Sequence, residues 1–142
     1  MMYKTFHLPY LFFVERGTRL TISKRIDGKT PLVTAGFENN GVAGYISNPE
    51  QKVFPANTLT IDMFGNVFYR NYKFCADDNI LVLTFKDTLN RGRALFLAAT
   101  ISAGVRGKFS YGKQYRQGSF ETTSIDLPID KNGKIDFPYM EK

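Results

Sequence analysis

The sequence predicts an α+β fold with a β-dominated body, one main helix and a short helix at the C-terminus. Three observations support this. The chain contains thirteen Phe and eight Tyr but no Trp, a composition that favours strands over a helical bundle. Short apolar runs separated by Gly and Asn turns recur from Thr34 to Phe85. Only one stretch, Leu89 to about Ser102, has the apolar spacing of an amphipathic helix.

Length and composition predict a single domain over residues 1–142 with an anionic partner. A chain of 142 residues can bury a real core, and its 19 basic and 13 acidic side chains leave a net charge of +6. The single cysteine, Cys75, excludes an internal disulfide and suits a reducing compartment, so we expect a cytoplasmic protein. No apolar run approaches the length of a membrane span, which predicts no membrane association.

The N-terminal third is predicted to contain two strands. Residues 3–14 alternate loosely and then become apolar, which indicates a strand entering the core. Leu20 and Ile22 alternate with polar neighbours, which predicts a half-buried strand over residues 19–26. Lys24 and Arg25 at its end could contact phosphates, and solvated surface charge is an equally good interpretation of either residue.

The middle of the chain contains two hairpin signals and one central strand. Asn40-Gly41 offers two residues tolerant of positive φ, as a type I′ turn requires, and Gly65-Asn66 gives a second hairpin. Residues 79–85 form a strongly apolar run, which predicts a central strand. Adjacent Asp77-Asp78 suggests a metal or acid–base site, but neighbours on a strand point to opposite faces and no third carboxylate is spaced to complete a ligand set, so a turn or cap is the favoured interpretation.

The loop that contains Asn39, Asn40 and Gly41 has two interpretations. Asparagine amides can pair with adenine edges, which would make Asn39 and Asn40 base readers. Alternatively, both side chains satisfy the backbone of their own turn. The structural interpretation is favoured here, with the loop placed near bound DNA.

The main helix is predicted from Leu89 to about Ser102, capped by Asp87-Thr88 and stopped by Gly104. Its apolar face follows from four residues at i, i+3, i+4 and i+7, namely Ala94, Leu97, Ala98 and Ile101.

The segment from Val105 to Gly118 carries the clearest signal for a polyanion. No acidic residue lies between Asp87 and Glu121, whereas aromatic side chains and glycines interleave with basic ones. Such segments allow close approach to a phosphate backbone. The candidate contacts here are Arg106, Lys108, Tyr111, Lys113 and Arg116. After this segment, Ser124–Leu127 is predicted to be a strand ended by Pro128, and Asp136 to cap a short helix.

The order of these pieces resembles the target-recognition domain in specificity subunits of type I and related two-subunit restriction–modification systems. The resemblance covers about residues 11 to 142. It rests on four successive runs: Asn39–Ile46, Pro55–Ile61 with the Gly65-Asn66 hairpin, Asp77–Leu83, and Lys108–Lys113 followed by Ile125–Asp130. It implies a twisted-sheet DNA methylase specificity fold and strengthens the expectation that Tyr111, Lys113 and Arg116 contact DNA.

The resemblance also implies partners. The expected partners are double-stranded DNA, methyltransferase (modification) and restriction subunits, and a second half-specificity subunit, with no cofactor and no metal. In that family the closing run leads into a long spacer helix. Here we expect one target-recognition domain with that helix truncated after about residue 137, which would affect docking to a modification subunit.

No enzyme motif competes with this interpretation, because the sequence lacks a P-loop, GxSxG, HExxH and CxxC. We therefore expect a non-catalytic component. Two alternatives remain open. One is a protein-interaction remnant or half-subunit that binds the modification subunit with little DNA affinity, which uncovered apolar surface at Tyr139-Met140 would favour. The other is a single-stranded nucleic-acid binder that stacks exposed aromatic side chains.

Overall fold

Three small antiparallel-rich sheets and four helices make up the fold, as the computed structural model describes it over residues 1–142. The strands are β1 (Met2–His7), β2 (Phe12–Arg16), β3 (Asp27–Val33), β4 (Val42–Ile46), β5 (Thr58–Asp62), β6 (Val67–Arg70), β7 (Cys75–Ala76), β8 (Ile80–Phe85) and β9 (Ser124–Ile129). The helices are α1 (Leu8–Leu11), α2 (Arg91–Val105), α3 (Gln117–Thr122) and α4 (Phe137–Met140). The α+β class predicted from the sequence is confirmed.

A four-stranded antiparallel sheet in the order β2-β8-β5-β6 forms the centre of the molecule. The apolar run predicted to be central is β8, which lies between β2 and β5. Helix α2 packs on this sheet, and Leu59, Leu83, Leu97 and Ile101 have no exposed surface. These contacts belong to a core cluster of 19 buried residues, so burial of apolar surface fixes the helix on the sheet.

Helix α2 is confirmed, with different ends. Its N-cap is Asn90, whose Oδ1 accepts from the Arg93 backbone N–H at 2.9 Å, rather than Asp87-Thr88. Asn is as good a cap as Asp, and the Asp87 carboxylate accepts from the Thr88 N–H instead. The helix continues past Gly104 to Val105, and the left-handed residue that follows it is Gly107, at φ 75°.

The N-terminal predictions are wrong in two places. The single strand expected over residues 3–14 is two strands in different sheets, separated by α1, because Pro9 lies in the first turn of a helix that begins at Leu8. The strand expected over residues 19–26 is a short 3₁₀ turn at Ile22–Lys24, with Ile22 exposed. The Asn48 side chain satisfies backbone groups that strand pairing would otherwise satisfy there, since its amide donates to the Lys24 carbonyl and accepts from the Ile26 N–H.

Both predicted hairpins form, although their loops differ from the expected turns. β3 and β4 pair antiparallel, but residues 34–41 connect them, rather than a two-residue type I′ turn. Asn39, Asn40 and Gly41 all have positive φ, at 50°, 55° and 80°. Residues 63–66 connect β5 and β6, and Gly65 has φ 86°. The turn residues were therefore identified correctly, and the loop lengths were not.

The C-terminal part contains one helix that the sequence did not predict. The strand expected at Ser124–Leu127 is β9, which continues through Pro128 and pairs with β1 along its whole length. α3, at Gln117–Thr122, precedes it. The predicted C-terminal helix is α4, capped by Asp136, which accepts from the Tyr139 N–H at 3.1 Å. None of the helices is long and apolar enough to span a membrane.

Candidate nucleic-acid interface

Several connections meet at one end of the four-stranded sheet. β5 ends where β8 begins, because Asp62 pairs with Ile80, and β2 ends beside them, because Arg16 pairs with Leu81. The end of α2 reaches the same place, since a Cβ atom on Gly65 would lie 3.3 Å from Val105 Cγ2. We call this region the loop end. It comprises residues 17–25, the 63–66 hairpin, the 77–79 turn and residues 106–116.

Residues 106–116 form an anchored loop rather than a loose one. Tyr115 is buried, its backbone N–H donates to the Met63 carbonyl at 2.8 Å, and its hydroxyl lies 2.8 Å from Thr123 Oγ1. Burial raises the pKa of the Tyr115 phenol. Phe109 packs edge-on against the Tyr115 ring. The loop is therefore fixed to the 63–66 hairpin at its base.

The tip of this loop is a two-residue turn. Ser110 and Lys113 exchange backbone hydrogen bonds of 2.9 and 3.1 Å, which leaves Tyr111 and Gly112 between them. Tyr111 is 77% exposed, although its ring contacts Phe64 at a centroid distance of 4.9 Å. The turn thus projects an aromatic side chain from the loop end.

Five of the residues predicted to contact DNA lie on this loop, and all five are exposed: Arg106, Lys108, Tyr111, Lys113 and Arg116. The three ion pairs of the protein are elsewhere, so the four cations of the loop have no acidic partner. The Arg106 guanidinium donates to Ser102 Oγ, and the Arg116 guanidinium donates to the Gln114 side chain. Unpaired, exposed cations are the groups that can neutralise phosphates.

Lys24 and Arg25 lie on a separate segment of the same end. Arg25 lines a depression of about 690 Å³ together with Arg19, Ser23 and the 77–79 turn. A second depression, of about 220 Å³, places Arg16 and Arg116 beside Asp78 and Asn79. The two depressions share the 77–79 turn, so the structure brings the segment of Lys24 and Arg25 close to the loop of Arg116.

Asp62 joins two neighbouring loops. Its carboxylate is buried and accepts four hydrogen bonds. Oδ1 accepts from the backbone N–H groups of Phe64 and Asn66, each at 2.9 Å. Oδ2 accepts from the Gly36 N–H at 2.8 Å and from Asn66 Nδ2 at 2.9 Å. One side chain therefore fixes the 63–66 hairpin and attaches the 34–41 loop to the loop end.

Arg70 supports the other end of the 34–41 loop. Its side chain is 1% exposed, and its guanidinium donates to Thr60 Oγ1 at 3.0 Å and to the Tyr72 hydroxyl at 2.7 Å. Burial lowers the pKa of Arg70, an effect that the bond to Tyr72 opposes. A Cβ atom on Gly41 would lie 3.0 Å from the Thr34 carbonyl and 3.3 Å from Arg70 Nη2. Gly41 therefore allows the loop to pack closely against Arg70.

Sequence reasoning missed several residues of this surface. Arg16 and Arg19 lie at the loop end, a position that the end of β2 could have suggested. Two aromatic residues also lie here: Phe37, which is 74% exposed and packs beside Phe68, and Phe64, which contacts Tyr111. The sequence could not identify them, because the exposure of an aromatic side chain depends on tertiary packing. No group of three or more His, Cys, Asp or Glu side chains could hold a metal ion.

The family assignment agrees with this architecture. The family model described as the type I restriction modification DNA specificity domain matches residues 3–142. The chain therefore belongs to the type I restriction modification DNA specificity domain family.

Two relatives of known name are similar to the chain. The specificity subunit S.BcgI of a type II restriction enzyme from Heyndrickxia coagulans is 26% identical over 145 residues, which cover 100% of this chain and 42% of that protein. A putative type I specificity subunit, S.MpnORF507P, from Mycoplasma pneumoniae is 31% identical over 104 residues, which cover 72% of this chain and 28% of that protein. The chain thus spans less than half the length of either relative.

Solved structures share the fold at 16% identity. The S subunit of a type I restriction–modification system from M. genitalium matches with a TM-score of 0.67 over 88% of this chain and 34% of that one. The HsdS subunit from Thermoanaerobacter tengcongensis matches with a TM-score of 0.63 over 89% of this chain and 33% of that one.

Proposed function

We propose that this chain recognises a short sequence in double-stranded DNA as the specificity component of a restriction–modification system. The observation that carries the proposal is the anchored loop 106–116, whose four cations are exposed and free of acidic partners. Loops fixed to a rigid sheet hold such cations at constant spacing, as contact with successive phosphates requires. Side chains from the neighbouring loops would then reach base edges in the major groove.

The DNA-contacting set is Lys24, Arg25, Arg106, Lys108, Tyr111, Lys113 and Arg116, with the Asn39–Gly41 loop beside it. Arg19 extends this set across the 77–79 turn, whereas Arg16 is ion-paired with Asp78 and is not included. Residues 1–142 act as one target-recognition domain without catalysis of their own. Family membership supports association with the other subunits of a restriction–modification system, and the proposed partners are methyltransferase and restriction subunits and a second half-specificity subunit.

The protein-interaction alternative is not favoured by the surface that would support it. Met140 is 3% exposed and Tyr139 is half-buried, so Tyr139-Met140 presents no uncovered apolar patch. The single-stranded alternative has Tyr111 and Phe37 as exposed aromatic side chains. Competition between duplex and single strands of the same sequence for the protein distinguishes this alternative from the proposed function. Duplex recognition requires that the duplex competes better.

Replacement of Lys113 and Arg116 by alanine tests the proposed phosphate contacts. The slope of log K against log salt falls by about 0.9 for each phosphate that the protein no longer neutralises, so the double variant is expected to reduce the slope by about 2. Duplex affinity measured at several salt concentrations gives this slope. The matched control is Lys131→Ala with Lys134→Ala, which removes the same charge from exposed positions in the acid-rich C-terminal part. Equal slopes in the two double variants would contradict the assignment.

A further inference from the structure

We propose that the side-chain amides of Asn39 and Asn40 read a base edge, with adenine as the preferred base. This inference rests on the proposed function and assigns part of its specificity to the 34–41 loop. The sequence favoured the opposite interpretation, in which both side chains form hydrogen bonds to the backbone of their own turn.

The backbone of the loop explains why these positions tolerate few residues. Asn39 and Asn40 have φ values of 50° and 55°, in the left-handed region that asparagine and glycine adopt at low cost. Asparagine usually gains there by bonding its side chain to the nearby backbone. Both side chains are exposed instead, and the side-chain hydrogen bond that holds this loop is the one that the Gly36 backbone N–H donates to the Asp62 carboxylate. Glycine would serve this backbone equally well, so the turn does not explain the amides.

The loop is held in place before any ligand binds. Asp62 fixes Gly36, the Thr34 N–H donates to the Gly41 carbonyl at 2.8 Å, and buried Arg70 lies behind Gly41. The Phe37 and Phe68 rings pack together at a centroid distance of 5.7 Å. Groups carried on a fixed backbone lose little entropy on binding, which favours selective contacts.

The surroundings of the two amides suit a base more than a phosphate. They line a depression of about 630 Å³ together with Pro31, Ala43, Tyr45 and Tyr72, and no charged side chain contributes to its walls. A phosphate would have no cation to balance its charge there. An asparagine amide can donate from Nδ2 to N7 of adenine while its Oδ1 accepts from the N6 amino group, both in the major groove.

The 34–41 loop, which carries the two amides, is linked to the loop of the proposed phosphate contacts. The Asp62 carboxylate that holds Gly36 also holds the N–H of Phe64, and the Phe64 ring contacts Tyr111 at the tip of the basic loop. A duplex held by residues 106–116 would therefore meet the 34–41 loop next to the 63–66 hairpin. The cations of residues 106–116 would contact phosphates, and the neutral amides of the 34–41 loop would contact a base.

The test compares sequences enriched from a randomised duplex pool by the wild-type chain and by the variant Asn39→Gly with Asn40→Gly. Glycine tolerates the left-handed backbone and removes both side chains, including their amides. Asn132→Gly, at an exposed turn, is the matched control. We expect the wild type and the control to enrich one motif, and the double variant to lose about 10-fold or more of its preference for adenine at one or two positions.

Three outcomes overturn the inference. An unchanged motif at unchanged affinity would show that the amides contact no DNA. An unchanged motif at uniformly lower affinity would assign them to phosphates. A wild-type chain that enriches nothing would remove the proposed function as well, and this result is distinguishable from the first two.

A melting curve accompanies each variant to confirm that it folds. Should the double glycine variant melt early, the single variants Asn39→Asp and Asn40→Asp replace it, because aspartate keeps the size and the left-handed tolerance of asparagine. A carboxylate accepts from cytosine N4 and offers no acceptor–donor pair to adenine. At least one of these variants is then expected to exchange adenine for cytosine at one position. Retention of adenine by both would overturn the inference.

Discussion

Asp62→Asn should destabilise the fold strongly although it changes a single atom. The carboxylate receives four donors, two on each oxygen, from Gly36, Phe64 and Asn66. Asparagine has one oxygen, so in either orientation two donors lose their acceptor and face an amino group. A buried donor left without a partner costs about 1–3 kcal/mol. Phe64 and Asn66 are half-buried and water partly compensates, so we expect a loss of about 3 kcal/mol in the free energy of unfolding.

Urea unfolding monitored by fluorescence or circular dichroism measures this loss. With a slope of about 2 kcal/mol per molar urea, the midpoint should fall by about 1.5 M while the slope stays constant. Asp126→Asn is the matched control, because Asp126 is exposed and accepts one bond, from Thr5 Oγ1. Exposed substitutions of this kind change stability by about 0.5 kcal/mol or less. Equal midpoints for the two variants would refute the role assigned to Asp62.

Two further predictions concern stability. The free energy of unfolding of Asn40→Ala should be about 1 kcal/mol lower than that of Asn40→Gly, because alanine is strained at φ 55°. Equal melting temperatures of the two variants would contradict this. Tyr115→Phe should cost about 1 kcal/mol at pH 8, because phenylalanine cannot form the hydrogen bond to Thr123. Burial raises the Tyr115 pKa, so the folded state favours the neutral phenol, and its contribution is complete below pH about 10 and lost as the pH rises through the folded pKa. Wild-type protein should thus lose more stability between pH 8 and 11 than the Phe variant, and equal losses would contradict the burial effect.

Local patterns predicted the parts of the fold that depend on neighbours in sequence. The buried face of α2, the strand β8 and the positive φ of Asn40 and Gly65 all follow from spacing or residue type within a few positions. The division into three sheets did not follow, because β1 pairs with β9 from the other end of the chain. No periodicity within β1 identifies a partner so distant in sequence.

The candidate site divides in the same way. The basic loop could be found by counting charges, because no acid interrupts its cations. The residues that hold the loops of the site in place could not be found by counting charges. Asp62 accepts from Gly36, 26 residues earlier, and Arg70 is buried against Thr60 and Tyr72, which only the folded chain shows. For Asn40 the positive φ was predicted correctly, the positive φ of Asn39 was not predicted, and the exposed amides of both residues do not form the expected bonds to the turn.

The most direct test of the central claim is selection of bound sequences by the wild-type chain from a randomised duplex pool, at low and at moderate salt. Phosphate contacts alone weaken steeply with salt and carry no sequence information, whereas base contacts persist as a preference. We expect one short enriched motif that is the same at both salt concentrations. Binding that disappears at the higher salt and enriches no sequence would contradict it.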